Sequence, residues 1–148
     1  MTKIYLLVYA CIVCTFSSVA QNSANYNFAT NSDASLGLDM SGNTLDMSSG
    51  TTSLLAAGSD DTQSGAVNIG FDFWFMGSRV ANFSCTDNGI IELGGNTLAT
   101  NTYLISANTS LKLLAPFGDD LRVGTNGQVR YKLFGVAPNR ILVIEYNN

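Results

Sequence analysis

An all-β, antiparallel sandwich of jelly-roll-like build is the fold class this sequence predicts, and three observations predict it. Over residues 67–76, Val67, Ile69, Phe71, Phe73 and Phe75 alternate with Asn68, Gly70, Asp72, Trp74 and Met76, the period of a strand with one buried face. Turn-forming Gly, Asn and Asp clusters recur through the second half of the chain at roughly the 8–12 residue spacing of short-stranded sandwiches and barrels. Outside the first twenty residues, no window of helical length carries an apolar stripe of period 3.6.

The elements follow in order. Residues 1–20 read as a secretory signal. Lys3 supplies the positive start, residues 4–16 are apolar apart from Thr15, and Ser18-Val19-Ala20 places small side chains before a cleavage ahead of Gln21. The apolar run is short of the ~18–20 residues of a spanning helix. Tyr9 and Val13, ahead of Ala10-Cys11 and Cys14, argue against lipidation. Residues 21–148 then form one domain, with 21–60 as a loop-rich edge and 61–148 as the main sheet region. In the edge, an early strand is expected over residues 26–30, followed by loops and one or two short edge strands.

The strand over 67–76 turns at Gly77-Ser78 into a second, residues 80–86, with Ala81, Phe83 and Cys85 on one face. Asp87-Asn88-Gly89 is a hairpin signal of type I′ kind, because Asn-Gly tolerates positive φ. Residues 90–93 return from it and complete a three-stranded meander. Residues 111–117 are apolar and are followed by the turn Gly118-Asp119-Asp120-Leu121. In residues 128–134, Val129, Tyr131 and Leu133 point inward while Arg130 and Lys132 point outward. Residues 141–146 form a last apolar strand. The expected inward set is Ile69, Phe71, Phe73, Phe75, Phe83, Ile91, Leu113, Tyr131, Leu142 and Ile144. Because the sequence stops directly after an apolar strand, it is expected to be a fragment truncated at its C-terminal end.

Charge and composition exclude several functions. Loss of Lys3 leaves six basic and eleven acidic side chains, net −5, with no basic cluster for phosphate. No nucleic-acid partner is expected, and no membrane attachment after signal cleavage. There is no histidine, which removes the usual general base, zinc ligand and Ser-His or Cys-His dyad. Only Cys85 survives cleavage, and its apolar strand predicts a buried thiol rather than a disulfide.

Four groups of residues are candidate sites. Asp119-Asp120 and Asp60-Asp61 are acidic pairs on loops. Their ordinary role is turn formation, their candidate role is Ca²⁺ ligation at Asp119 and Asp120, and no other cofactor is expected. Paired carboxylates also serve acid hydrolases, a weaker reading, and the chain is expected not to be an enzyme. Trp74 and Met76 lie opposite the phenylalanines; their ordinary reading is cover by a missing strand, the N-terminal segment or a neighbouring domain, and their candidate role, with Tyr103, is a binding patch for a sugar or a protein. Arg130 and Lys132 are expected to pair with acids on neighbouring strands, such as Glu145. Asn82-Phe83-Ser84 and Asn108-Thr109-Ser110 match the glycosylation sequon.

Three stretches in fixed order carry a family resemblance. They are Ile69-Gly70-Phe71-Asp72-Phe73 with Asp87-Asn88-Gly89-Ile90-Ile91, then Leu114-Ala115-Pro116-Phe117-Gly118-Asp119-Asp120-Leu121, then Val129-Arg130-Tyr131 with Gly135-Val136-Ala137-Pro138-Asn139-Arg140. The order resembles the N-terminal β-rich domain of large secreted proteins of Bacteroidetes-type bacteria, which often carry a type IX secretion sorting domain. It is similar, more distantly, to plexin-domain-containing and nidogen-like extracellular modules. Gly118 and Tyr146 stand where Trp is frequent in such sequences, and no sorting domain is present here. The resemblance implies a non-catalytic adhesive or structural module, secreted or at the cell surface. Its expected partners are other domains of the same polypeptide, or surface proteins and glycans. A lectin-like module, with Trp74 or Tyr103 stacking on sugar, is the alternative.

Overall fold

The computed structural model describes residue 42, residues 44–99 and residues 110–147. The expected signal segment, the strand over residues 26–30, Tyr103 and the sequon at Asn108 lie outside the described residues. Among the described residues there are seven strands: β1 (Thr52–Leu55), β2 (Val67–Phe75), β3 (Ser78–Cys85), β4 (Ile91–Leu93), β5 (Leu113–Leu114), β6 (Gln128–Val136) and β7 (Asn139–Asn147). They form two antiparallel sheets, one in the order β1-β6-β7 and the other β2-β3-β4-β5. The expected β-sandwich is therefore observed, with the β2-β3-β4 meander as one run of neighbours and β1 as a short edge strand.

The core lies between the sheets. Ile69, Val80, Phe83, Cys85, Ile91 and Leu93 from one sheet meet Leu55 and Val129 from the other, with Val123 from the loop before β6. Phe83 is completely buried and packs edge-on against the Tyr131 ring, 5.5 Å between centroids. Phe71, Phe73, Phe75, Tyr131, Leu142 and Ile144 surround this centre as half-buried side chains. Leu113 departs from the expected inward set. It pairs with Glu92, so it shares the outer face of its sheet, and it is half-buried there.

The β2–β3 pairing explains a second departure. Asn68 pairs with Asn82 and Phe73 with Val80, so four residues of β2 lie opposite Ala81 alone. Gly70 makes this bulge possible, with φ 86° and its N–H donated to Asn68 Oδ1 at 2.6 Å instead of to the ladder. The bulge resets the alternation on β3. Val80 joins Phe83 and Cys85 inside, and Ala81 lines an outer groove. The turn also sits one residue earlier than expected. Phe75 pairs with Ser78 across Met76-Gly77, and both turn residues have positive φ, 52° and 73°. That is the type I′ pattern, with methionine in a position that favours Asn or Gly.

β6 and β7 pair along their whole length, from Gln128↔Asn147 to Val136↔Asn139. On their outer face Arg130 Nε donates to Glu145 Oε2, the cross-strand ion pair that the alternation predicts. Lys132 instead donates from Nζ to the carbonyls of Asp46 (2.7 Å) and Ser49 (2.9 Å), and so holds the segment ahead of β1 across this sheet. At one side of the sandwich Arg140 of β7 reaches β2, donating from Nη1 to Gly70 O at 2.9 Å and lying 5.4 Å from the centroid of the Phe71 ring.

Candidate functional site

The β3–β4 hairpin tip organises one end of the molecule. Thr86 N–H donates to Ile90 O (2.8 Å) and Gly89 N–H to Thr86 O (3.3 Å), while Gly89 takes φ 75°. Asn88 keeps an ordinary negative φ, so the tip is a turn closed by a left-handed glycine rather than the expected type I′ pair. The reason is tertiary, because loops close on the tip from two sides, one on Asn88 and one on Asp87. Its carbonyl accepts from Asp119 N–H (3.3 Å) and its Oδ1 from Leu121 N–H (2.8 Å). From the other side, Asp87 accepts Thr62 N–H on its carboxylate at 3.0 and 3.2 Å.

Both acidic pairs are thus carried to this one end, on loops that clamp the tip. Asp60 and Asp61 lie on the first loop and are exposed. The Asp60 carbonyl accepts the Thr62 hydroxyl (2.8 Å), and its backbone bridges to Arg122. Asp119 and Asp120 lie on the second loop, also exposed, and Asp119 Oδ1 accepts Asp120 N–H at 2.8 Å. This geometry is the turn chemistry of Asp. Among the described residues no group of three His, Cys, Asp or Glu side chains stands close enough together to hold a metal ion.

The buried acid at this end is Asp87, not an exposed pair. Burial raises its carboxyl above the ordinary aspartate range, and the nearby Asp60 charge adds to the rise, against hydrogen bonds from Thr62 and Asn88. Beside it, Tyr146 presents its ring edge to Phe117, 5.6 Å between centroids. Burial and the neighbouring Cys85 push its phenol far above its usual range, and burial pushes the Cys85 thiol up to about 12. Asp87, Phe117, Leu121, Val129 and Tyr146 line a mainly apolar cavity of about 210 Å³. A thiol held neutral is a weak nucleophile.

A second polar cluster lies on the outer face of the four-stranded sheet, and sequence reasoning missed it. Glu92 is fully buried and accepts from Gly95 N–H (2.7 Å), Asn96 N–H (2.8 Å) and Asn96 Nδ2 (2.6 Å). Gln63 donates to Ser84 Oγ (2.7 Å) and Asn96 O (2.8 Å) and accepts Leu98 N–H (2.8 Å). The one sequence signal is Glu92 itself, an acid followed by Gly94-Gly95-Asn96, whose loop amides turn back onto it.

The Trp74 face is different in kind. Trp74 is 54% exposed and Met76 52% exposed. Trp74 pairs with Arg79, and Arg79 Nε donates to Asp72 Oδ1 at 2.6 Å. Next to them the β2 bulge opens a polar groove of about 360 Å³, lined by Asn68, Gly70, Phe71, Asp72, Arg79, Ala81 and Arg140. The sequence places Trp74 opposite the phenylalanines, with cover by another segment or domain as its ordinary reading; among the described residues it is exposed, and the groove beside it has no signal in the sequence.

A family model described as NIDO related matches residues 25–148. This chain belongs to the nidogen-related family. No curated protein and no solved structure matches it. The match reaches well into the loop-rich edge, so the NIDO-related unit includes more of the chain than the sheet region alone. It makes the protein an extracellular β module, the coarser part of what the sequence resemblance implied. The sequon at Asn82 falls inside this NIDO-related fold on a paired strand, with Phe83 and Ser84 both buried.

Proposed function

We propose that this NIDO-related module is a non-catalytic structural and adhesive domain of a secreted or surface protein, exported by cleavage after Ala20. The observation that carries the reading is where the buried polar side chains go. Asp87 holds Thr62, Asn88 holds Leu121, and Glu92 holds Gly95 and Asn96, each through backbone amides. Such bonds stiffen loops on a sheet, which suits a module that spaces or presents neighbouring domains. The bacterial, type IX-associated setting implied by the resemblance is part of this proposal, as is attachment to further domains. Expression of the full chain in an exporting host tests it. The expected result is extracellular protein beginning at Gln21 that adheres to the surface of the producing cells or to their matrix. Retention inside the cell with an intact N-terminus overturns it.

Carbohydrate binding is a second reading, favoured by the exposed Trp74. In its calcium-assisted form Asp119 and Asp120 hold the ion. Binding that survives a chelator unchanged separates turn-forming aspartates from ligating ones.

A further inference from the structure

The groove beside Trp74 carries the molecule's most ligand-like chemistry. Two guanidinium groups, Arg79 and Arg140, face a single carboxylate, Asp72, within one set of lining residues. Asp72 is engaged by Arg79, with the two side chains 67% and 55% exposed. Among the described residues Arg140 has a backbone carbonyl, Gly70 O, as its hydrogen-bond acceptor, and its buried Nε has no partner. The groove therefore holds an excess of positive charge on a chain whose net charge is −4. It also holds planar polar groups from Asn68, Asp72, Arg79 and Arg140, the side-chain types that form paired hydrogen bonds with carboxylates and adjacent hydroxyls.

The platform and the groove stand at the right separation. Trp74 shares a strand face with Asp72, two residues along, or ~7 Å at the rise of a strand. That is about the span of one sugar ring. Arg79 lies directly opposite Trp74 in the register and lines the groove as well. An indole beside a cationic polar groove fits a ring that presents an apolar face on one side and a carboxylate at its edge.

We infer that Trp74, Asp72, Arg79 and Arg140 form a binding site for an acidic saccharide chain, with one sugar ring stacked on Trp74 and the carboxylate of a neighbouring ring on the Arg140 guanidinium, which is held at Gly70, ~13 Å along the strand from Trp74. The inference rests on the carbohydrate reading and names its ligand class. The β2 bulge builds the site, because four residues opposite Ala81 open the space that a regular ladder closes. Calcium has no part in it.

The test is calorimetric titration of the secreted protein with three probes: oligogalacturonate, a sialylated oligosaccharide and a neutral oligosaccharide of the same length. The first two separate uronate from sialate as the source of the carboxylate. The expected result is binding of at least one acidic probe, weakened by salt, with the neutral probe at least about tenfold weaker. Trp74→Ala and Arg79→Gln each lower affinity about tenfold while melting within a few degrees of the wild type, since both side chains are exposed. Tight binding of the neutral probe alone overturns the assignment of charge but leaves the carbohydrate reading. Absence of binding to all three probes overturns the site, and surface retention of the same protein then still upholds the adhesive module. Wild-type affinity in Trp74→Ala also overturns the site.

Discussion

At the residue scale, two buried titratable groups make the most direct predictions. The folded-state pKa of Asp87 is raised, so protonation of this side chain favours the fold. Its contribution is fully present below the unfolded value near 3.8 and is lost as pH rises through the folded value. Asp87→Asn removes that titration and keeps an oxygen for Thr62 N–H. Urea melts from about pH 4 to pH 7 should show the wild type losing stability relative to Asp87→Asn as pH rises. A constant difference between the two proteins would show that burial of Asp87 carries no linkage. Cys85 is fully buried and its thiol is held up to about 12. The mature native protein should therefore leave a disulfide reagent unreacted at about pH 8. The same protein should react with one equivalent after denaturation. Fast reaction in the native state would place the thiol at the surface.

At the scale of elements, two glycines of nearly equal φ separate backbone strain from packing. Gly77 (φ 73°) has open space where a Cβ would stand. Gly89 (φ 75°) does not, because a Cβ there would come within 2.9 Å of Phe117 Cβ and 3.1 Å of Gly118 N. Gly77→Ala should cost only the left-handed penalty, about 1 kcal/mol. Gly89→Ala should cost about 1–3 kcal/mol more, by pushing the 117–121 loop off the hairpin tip. Chemical denaturation of the two variants measures the difference, and equal losses would mean that the loop is not held against the tip. The neighbouring Met76 is a bulky side chain at φ 52°. Met76→Asn in the same turn should stabilise the hairpin by about 0.5–1 kcal/mol, read as a rise in the melting temperature.

At the scale of the whole molecule, the sandwich depends on apolar contact between sheets rather than on covalent ties. Phe83 sits at the centre of that contact, against Tyr131 of the facing sheet. Truncation of Phe83 to Ala should cost about 3–5 kcal/mol, a large share of the about 5–15 kcal/mol that domains of this size possess. The outer-face pair Arg130–Glu145 is partly solvated, 16% and 33% exposed. Its removal by Glu145→Gln should cost no more than about 1 kcal/mol. Thermal melts of both variants rank the two contributions, and a reversal of that order would mean that surface charge, not the core, dominates the fold.

The sequence by itself determined the strands of the β2-β3-β4 meander and of the β6-β7 hairpin, and with them the fold class. The alternation of Ile69, Phe71 and Phe73 fixes which face of β2 is inward, because side chains on an extended backbone point to opposite sides in turn. For the same reason Arg130 was legible as the partner of Glu145, and the burial of Cys85 followed from its apolar strand. Only the tertiary structure decided that Val80 rather than Ala81 is inside, since that depends on a bulge whose register needs both strands. Only it decided that Asn88 keeps a negative φ, because the two loops that clamp the tip come from positions 25 and 33 residues away. Glu92 and the Arg140 groove were illegible for the same reason. Local periodicity records which way a side chain points, whereas burial of an acid or the meeting of Arg140 with Gly70, 70 residues apart, is set by how the sheets close on each other.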